Sequence, residues 1–425
     1  MDSVKQCVLA TVNQLWSEQV AFLQELVSYP SVLFQEASAQ EAMRHKFHAM
    51  GLAVDSFDAD ISGIGVQPGY SHVEWGYQGR PQVVGVLKSP AGGGRNLVLN
   101  GHVDVVSAEP VRQWQRPPFG GKIDGDRLYG RGACDMKGGV SAMTFAVQAI
   151  QQAGVALRGD VILQSVIEEE CTGNGTLACL TRGYVGDAAL IPEPGEQILI
   201  GELGVLWLRT VVSGLAGHVQ GASRQVNAID KAIYLIGALR ELEAKWNANP
   251  HPAFASHDHP INFNLGVIRA GDWPSTVPAE CEFVTRVSFY PGLKPEEAKA
   301  EILTHLQAAI EADPFLAERL PEFSWYGHND EGYILGQDHP YVQEVARAYT
   351  TVTGRPARFH FSTAVTDARY WTLYHDLPAV CMGPNGENIH APDEWVSLSS
   401  LHEVTRVIAA FILDFCGYEQ QLPGR

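Results

Sequence analysis

Seven short stretches of the chain concentrate side chains that hold divalent metals or move protons: Gly101-His102-Val103-Asp104, Gly130 to Gly139, Glu168-Glu169-Glu170, Ile191-Pro192-Glu193-Pro194, Gly217-His218, Thr366-Asp367-Ala368-Arg369 and Asn388-Ile389-His390. His102 and His390 offer imidazoles, and Asp135, Glu170 and Glu193 offer carboxylates. These are ligand types that Zn²⁺ accepts. Glu169 stands beside Glu170, as a general base working next to a metal must. One stretch alone carries little information. Seven in this order point to a single two-metal hydrolytic site.

Singly, each residue also has a structural reading. Asp104 either holds the second nitrogen of His102 or braces its own loop. Asp135 lies among Gly130, Gly132, Gly138 and Gly139, which let the backbone bend tightly; it also suits the N-cap of a strand-to-helix turn. Three adjacent carboxylates, Glu168 to Glu170, repel one another and read as a solvated loop, yet they close an apolar run beside Gly173-Asn174-Gly175. Neighbouring strand residues point to opposite sides. Glu170 can therefore meet a metal while Glu169 faces a water only if the strand has ended and turned. Glu193 is stiffened by two prolines, and His390 sits in a polar loop.

The elements that must position these residues alternate. Helices are expected over 9–29, 38–50, 137–152 and 175–183, and strands over 52–54, 82–87, 96–100, 161–166 and 188–191. Short apolar runs of this kind suit a sheet covered on both faces, so the fold class is α/β layered. The His and acidic motifs fall at C-terminal ends of strands, where open α/β sheets carry their sites. Near residue 203 the order becomes strand 203–213, helix 226–246, strands 261–269 and 279–290, helix 295–312 and strand 322–327. That is a split β-α-β-β-α-β pattern. The chain thus divides into a discontinuous domain, 1–202 and 329–425, and an inserted α+β domain, 203–328. Helix 339–353 returns to the first domain. The Gly- and aromatic-rich segment 62–80 reads as a long surface loop without an assigned role.

The length of 425 residues, with 45% hydrophobic and 18% charged residues, fits two globular domains. A formal net charge of −18 with no basic run argues against nucleic acid or anionic membrane as partners. No apolar run is long enough to span a bilayer, and the polar start Met1 to Gln6 is unlike a secretory signal. Seven scattered cysteines without a Cys-x-x-Cys pair suggest a reducing cytoplasm.

Gly101 to Val106, Gly130 to Gly139, Glu168 to Gly175, Glu193-Pro194, Gly217-His218 and Asn388 to Pro392 together resemble the dinuclear zinc amidohydrolases. That family includes acetylornithine deacetylase, succinyl-diaminopimelate desuccinylase, aminoacylase and glutamate carboxypeptidase. The resemblance spans nearly the whole chain. It implies a three-layer zinc-peptidase-like catalytic domain and a ferredoxin-like lid that also dimerises. It implies two Zn²⁺ per subunit, with Co²⁺ or Mn²⁺ as substitutes. Asp135 would bridge the metals, His102 and Glu193 would complete one, and Glu170 and His390 the other. Glu169 would be the general base, Asp104 the partner of His102, and His218 a polariser of the scissile carbonyl in the partner subunit's site. A cis peptide between Asp135 and Met136 is also implied.

Two features depart from the family. Glu168 stands where Asp is usual, and Arg286 lies five residues before Pro291-Gly292 rather than just before it. Arg286 and Arg369 are the candidates for a substrate carboxylate; Arg369 is equally an ion-pair partner of Asp367 or Asp376. The expected activity is hydrolysis of a small N-acyl amino acid or N-acyl amine, acetylornithine deacetylase-like, by a homodimer with a shared site. The rivals are a deformylase of N-formyl aminopyrimidines in thiamine salvage and a metallo-dipeptidase or carboxypeptidase. A metal-free scaffold would have lost ligands, and none is missing.

Overall fold

The computed structural model describes residues 2–419; Met1 and residues 420–425, the end of the expected first domain, lie outside the described residues. The larger core is built on a nine-stranded sheet. Its order is Ala53–Asp58, Pro81–Leu87, Val161–Val166, Leu97–His102, Ala188–Ile191, Ala379–Cys381, Ile198–Glu202, Tyr333–Ile334, with Phe359–Ser362 pairing onto Ile198–Glu202. Leu97–His102 runs parallel to both of its neighbours. Every residue of these three central strands is buried, as a sheet covered on both faces requires.

One strand shows the layering. A Cβ on Gly101 would meet Val140 and Met143 of helix Gly139–Gln152, whereas Asn100 donates to Thr176 of helix Asn174–Thr181. Consecutive strand residues face opposite sides, so these helices lie on opposite faces and the core has three layers. Helices Ser3–Ser28, Gly139–Gln152, Pro340–Thr353 and Leu398–Cys416 pack on one another in one layer. The first begins six residues earlier than the apolar spacing suggests, because Asp2 caps it by accepting from the Lys5 amide at 2.9 Å.

A second hydrophobic core stands on an antiparallel sheet in the order Phe263–Ala270, Glu280–Phe289, Gly204–Ser213, Glu322–Asp330, with helices Ala228–Asn247 and Pro295–Ala312 packed on one face. Leu206, Leu208 and Val212 point into that core. Alternation sends Trp207 to the other face, opposite Arg286, which itself lies opposite Asn264. The last strand carries a bulge: Trp325 pairs with Leu208 but Asn329 pairs with Leu206. Four residues thus advance on one strand against two on the other. Gly327 turns the chain there at φ +63°.

The structure adds elements that the sequence pattern does not resolve. A small sheet of Gly386–Glu387, Trp395–Ser397, Arg127–Tyr129 and Lys122–Asp124 has strands too short to show a period. Helix Leu398–Cys416 lies past the last expected helix, although Ser399, His402, Glu403 and Arg406 recur at helical spacing. No helix among the described residues is long and apolar enough to cross a membrane.

Candidate metal centre

His102 closes the strand Leu97–His102, so it emerges at the sheet's C-terminal edge. Its Nδ1 lies 3.0 Å from the main-chain oxygen of Asp104 and 3.5 Å from the Asp104 carboxylate. The main-chain oxygen of Asp104 therefore fixes the ring, with its carboxylate alongside. The other Asp104 oxygen accepts from the Glu170 amide at 3.2 Å, bracing that loop as well.

Asp135 lies in a wide turn, Ala133–Gly138, ahead of helix Gly139–Gln152, and its peptide bond to Met136 is cis. It does not cap the helix, whose N-cap is Gly138; its carboxylate faces the His102 and His390 rings instead. One residue holds this turn that sequence reasoning missed. The buried Glu394 accepts from the amides of Gly132, Cys134 and Asp135 at 3.0–3.1 Å and from Arg131 at 2.6 Å. The small sheet supplies Glu394 and, on the same loop, His390, which ties both ends of the site together.

Around Asp135 the expected ligands meet. One oxygen lies 3.2 Å from His102 Nε2, and the other 3.4 Å from His390 Nε2. His390 Nε2 is also 2.9 Å from Glu170, and His102 Nε2 is 3.7 Å from Glu193 and 3.9 Å from Glu169. Ligand atoms of His102, Asp135 and Glu170 lie within 4.8 Å of one another, as do those of His102, Glu169 and Glu193. Burial pushes the carboxyls of Glu169, Glu193 and Glu170 up. Burial acts the same way on Asp135, but hydrogen bonds with His102 and His390 outweigh it and hold that carboxyl low.

The cluster holds five carboxylates against two imidazoles. Among the described residues no Lys or Arg comes within ion-pair distance of Asp104, Asp135, Glu169, Glu170 or Glu193. The buried Oε1 of Glu193 accepts no hydrogen bond. Mixed His and carboxylate donors left without a cation fit a divalent metal pair.

Glu168 corrects the reading of the three glutamates as a solvated loop. It is fully buried at φ +67°. Trp75 Nε1 and the Tyr77 hydroxyl each donate to it at 2.7 Å, and Arg80 pairs with it at 2.6 Å. Arg80 also donates to the buried Glu36. The segment 62–80 is thus more than a surface loop: its end clamps Glu168, and the left-handed turn there ends the strand Val161–Val166 so that Glu169 and Glu170 both reach the cluster.

Arg369 needs correction as a substrate-binding candidate. It has no exposed surface and pairs with Asp330 at 2.8 Å and Asp367 at 3.6 Å, while donating to the Thr366 and Thr172 carbonyls. Its charge is consumed inside the fold. Arg286 behaves differently. It lines a cavity of about 360 Å³ between the two cores, together with Glu169, Glu170, His390, Trp207 and Tyr326. A larger depression of about 770 Å³ between helices Ser3–Ser28 and Ala37–Ala49 touches none of the cluster. His218 stands apart, exposed on the ribbon Gly217–His218, where its Nδ1 accepts from the Gln220 amide at 3.2 Å. No contact joins it to the cluster among the described residues.

Residues 98–414 match the sequence profile of peptidase family M20/M25/M40. The N-formyl-4-amino-5-aminomethyl-2-methylpyrimidine deformylase of Halalkalibacterium halodurans is 30% identical, over 97% of this chain and 98% of its own. The enzyme of the same name from Bacillus subtilis is 33% identical, over 85% of this chain and 89% of its own. Among solved structures, a di-peptidase of Saccharomyces cerevisiae superposes with a TM-score of 0.81 over 99% of this chain and 100% of its own, at 14% identity. That last likeness is one of fold.

Proposed function

The chain belongs to peptidase family M20/M25/M40 and is a hydrolase of amide bonds, and from that premise we propose that it removes a formyl group from an N-formyl aminomethyl-pyrimidine. The observation carrying this reading is the identity to two deformylases across nearly the full chain. It narrows the acetylornithine deacetylase-like expectation to its first rival. The aromatic cavity wall of Trp207 and Tyr326 supports a flat leaving group.

His102, Asp135, Glu170, Glu193 and His390 would hold two metals, Zn²⁺ with Co²⁺ or Mn²⁺ as substitutes, which supply Lewis-acid polarisation of the amide carbonyl and acidify water. Glu169 then takes the proton of the attacking water as the C–O bond forms, and delivers it to the amine as the C–N bond breaks. Formate and the free amine leave. Asp104 keeps His102 in one orientation. His218 from a partner subunit stabilises the developing oxyanion. Residues 203–328 act as lid and dimer contact, hinged near 201–204 and 326–332, in a cytoplasmic homodimer. The free state of all seven cysteines agrees with that compartment.

The test is a substrate panel assayed with Zn²⁺ or Co²⁺: the N-formyl aminopyrimidine, N-acetylornithine, an N-succinyl amine and a dipeptide. Formate release from the first should exceed product from the rest by orders of magnitude. Preferred cleavage of an acetyl amino acid or a dipeptide would overturn the reading.

A further inference from the structure

Strand Glu322–Asp330 delivers a second polar device to the same cavity. Tyr326 and His328 lie two residues apart on it, with Gly327 between them at φ +63°, and both line the cavity. His328 is 7% exposed, and its ring stands edge-on to Trp207 with centroids 5.0 Å apart. Its Nδ1 lies 2.5 Å from Asp330. Asp330 is itself fixed by the buried Arg369 at 2.8 Å. An ionised carboxylate only accepts, so Nδ1 carries the hydrogen. The tautomer that makes this bond places its hydrogen on Nδ1 and leaves Nε2 as the acceptor. Nε2 then presents a lone pair, and no side chain or backbone group among the described residues occupies it. The ring lines the cavity that holds Glu169, Glu170 and His390.

We propose that His328 is a specificity-determining residue whose Nε2 accepts a hydrogen bond from an amino group on the planar ring of the leaving amine, while Trp207 and Tyr326 flank that ring. The inference rests on the deformylase reading and deepens it. It assigns the Arg369–Asp330–His328 chain a purpose: a buried, pre-oriented acceptor rejects a ring that lacks the donor, because the acceptor would otherwise stay unpaired. A purely structural histidine needs neither the open nitrogen nor the cavity.

The experiment compares two formamides on the metal-loaded protein, the N-formyl aminopyrimidine and its analogue without the ring amino group. His328→Asn keeps an amide N–H where Nδ1 stood, so the bond to Asp330 survives, but it removes Nε2. It should lower kcat/KM for the amino substrate roughly ten- to hundredfold, mainly through KM, and leave the desamino substrate unchanged. His328→Gln, which can place an acceptor near Nε2, should recover part of the loss. Equal losses on both substrates, or none on either, would overturn the proposal. Calorimetric binding of the product amine supplies an independent readout. If wild-type protein cleaves no formamide, the deformylase reading fails; tight amine binding that His328→Asn weakens tenfold or more would still support the assignment, and binding that is absent or insensitive to the substitution would sink it.

Discussion

Buried carboxylates in this molecule are treated in two ways within a short distance of one another. Glu168, Asp330 and Glu394 each lie against a buried arginine: Arg80 at 2.6 Å, Arg369 at 2.8 Å and Arg131 at 2.6 Å. Asp104, Asp135, Glu169, Glu170 and Glu193 face only His102 and His390. An unpaired buried charge costs several kcal/mol, and the fold meets that cost with an arginine on each flank but with only two imidazoles for five carboxylates at the centre. The centre is where an external cation belongs. The flanking pairs have a different task. They set the turn at Glu168, the Ala133–Gly138 turn and the His328 ring, and so hold the shape into which the metals fit.

The sharpest way to break this comparison is to change one carboxylate of the centre without changing its neighbours. Glu169→Gln should lower turnover about 10²–10⁴-fold while metal content, measured by elemental analysis, stays at the wild-type level. Normal turnover in the fully loaded variant would remove Glu169 from the proton-transfer role.

His218 tests whether the centre is complete within one chain. His218→Ala should lose about 10²–10³-fold in turnover and keep its metals. Equal mixing with Glu169→Gln should return about a quarter of wild-type activity if subunits exchange freely in a two-fold dimer. Half of the dimers are then hybrids, and each hybrid has one intact site. Absence of recovery after confirmed subunit exchange would place His218 outside the chemistry.

The contrast itself predicts opposite signs for stability. Arg369→Met strands Asp330 and Asp367 inside the protein and should cost about 3–5 kcal/mol in denaturant unfolding. Glu193→Gln removes a carboxylate that, among the described residues, faces no Lys or Arg and only the His102 ring at 3.7 Å, so it should raise the melting temperature of chelator-treated protein and shrink the gain on adding Zn²⁺. Destabilisation of the chelated protein by both substitutions would erase the distinction between flank and centre.

These roles were legible in the sequence to different depths. The placement of His102, Glu170 and Glu193 was readable because their motifs close apolar runs, that of Asp135 and His390 from a glycine-dense turn and a polar loop, and the second sheet was readable because its strands and helices are long enough to show their periods. Glu394 and Glu36 carry no such mark. Each sits far along the chain from the turn or arginine it serves, and a lone Glu looks the same whether it meets Arg131 or water. The sign of the error at Arg369 has the same origin: a guanidinium suits a substrate and an interior aspartate equally, and only burial separates the two. His328 was missed because the expected strand stopped at residue 327, one residue short of it, although alternation from Phe323 and Trp325, packed on the second core, sends Tyr326 and His328 to the cavity face.

Glu202 offers the mildest probe, because it belongs to neither class. It is fully buried, accepts from Thr366 Oγ1 at 2.7 Å, and leaves its second oxygen without a hydrogen bond. No ion pair reaches it among the described residues. Burial pushes its carboxyl up to about 8 from an ordinary 4.5, with the Thr366 hydrogen bond and the charge of Arg369 opposing. Here the cost is avoided by holding a proton. A folded-state value above the unfolded one gives stability that is fully present below about pH 4.5 and is lost as pH rises through about 8. Over that window the loss runs at about 1.4 kcal/mol per pH unit. Glu202→Gln stays neutral throughout and keeps an acceptor for Thr366. The variant should match wild type near pH 4.5, gain on it steadily up to about pH 8, and hold a constant lead beyond. Melting temperatures taken across this range decide the point. Parallel curves would mean that Glu202 is ionised in the folded protein, and a cation would then have to be found for it too.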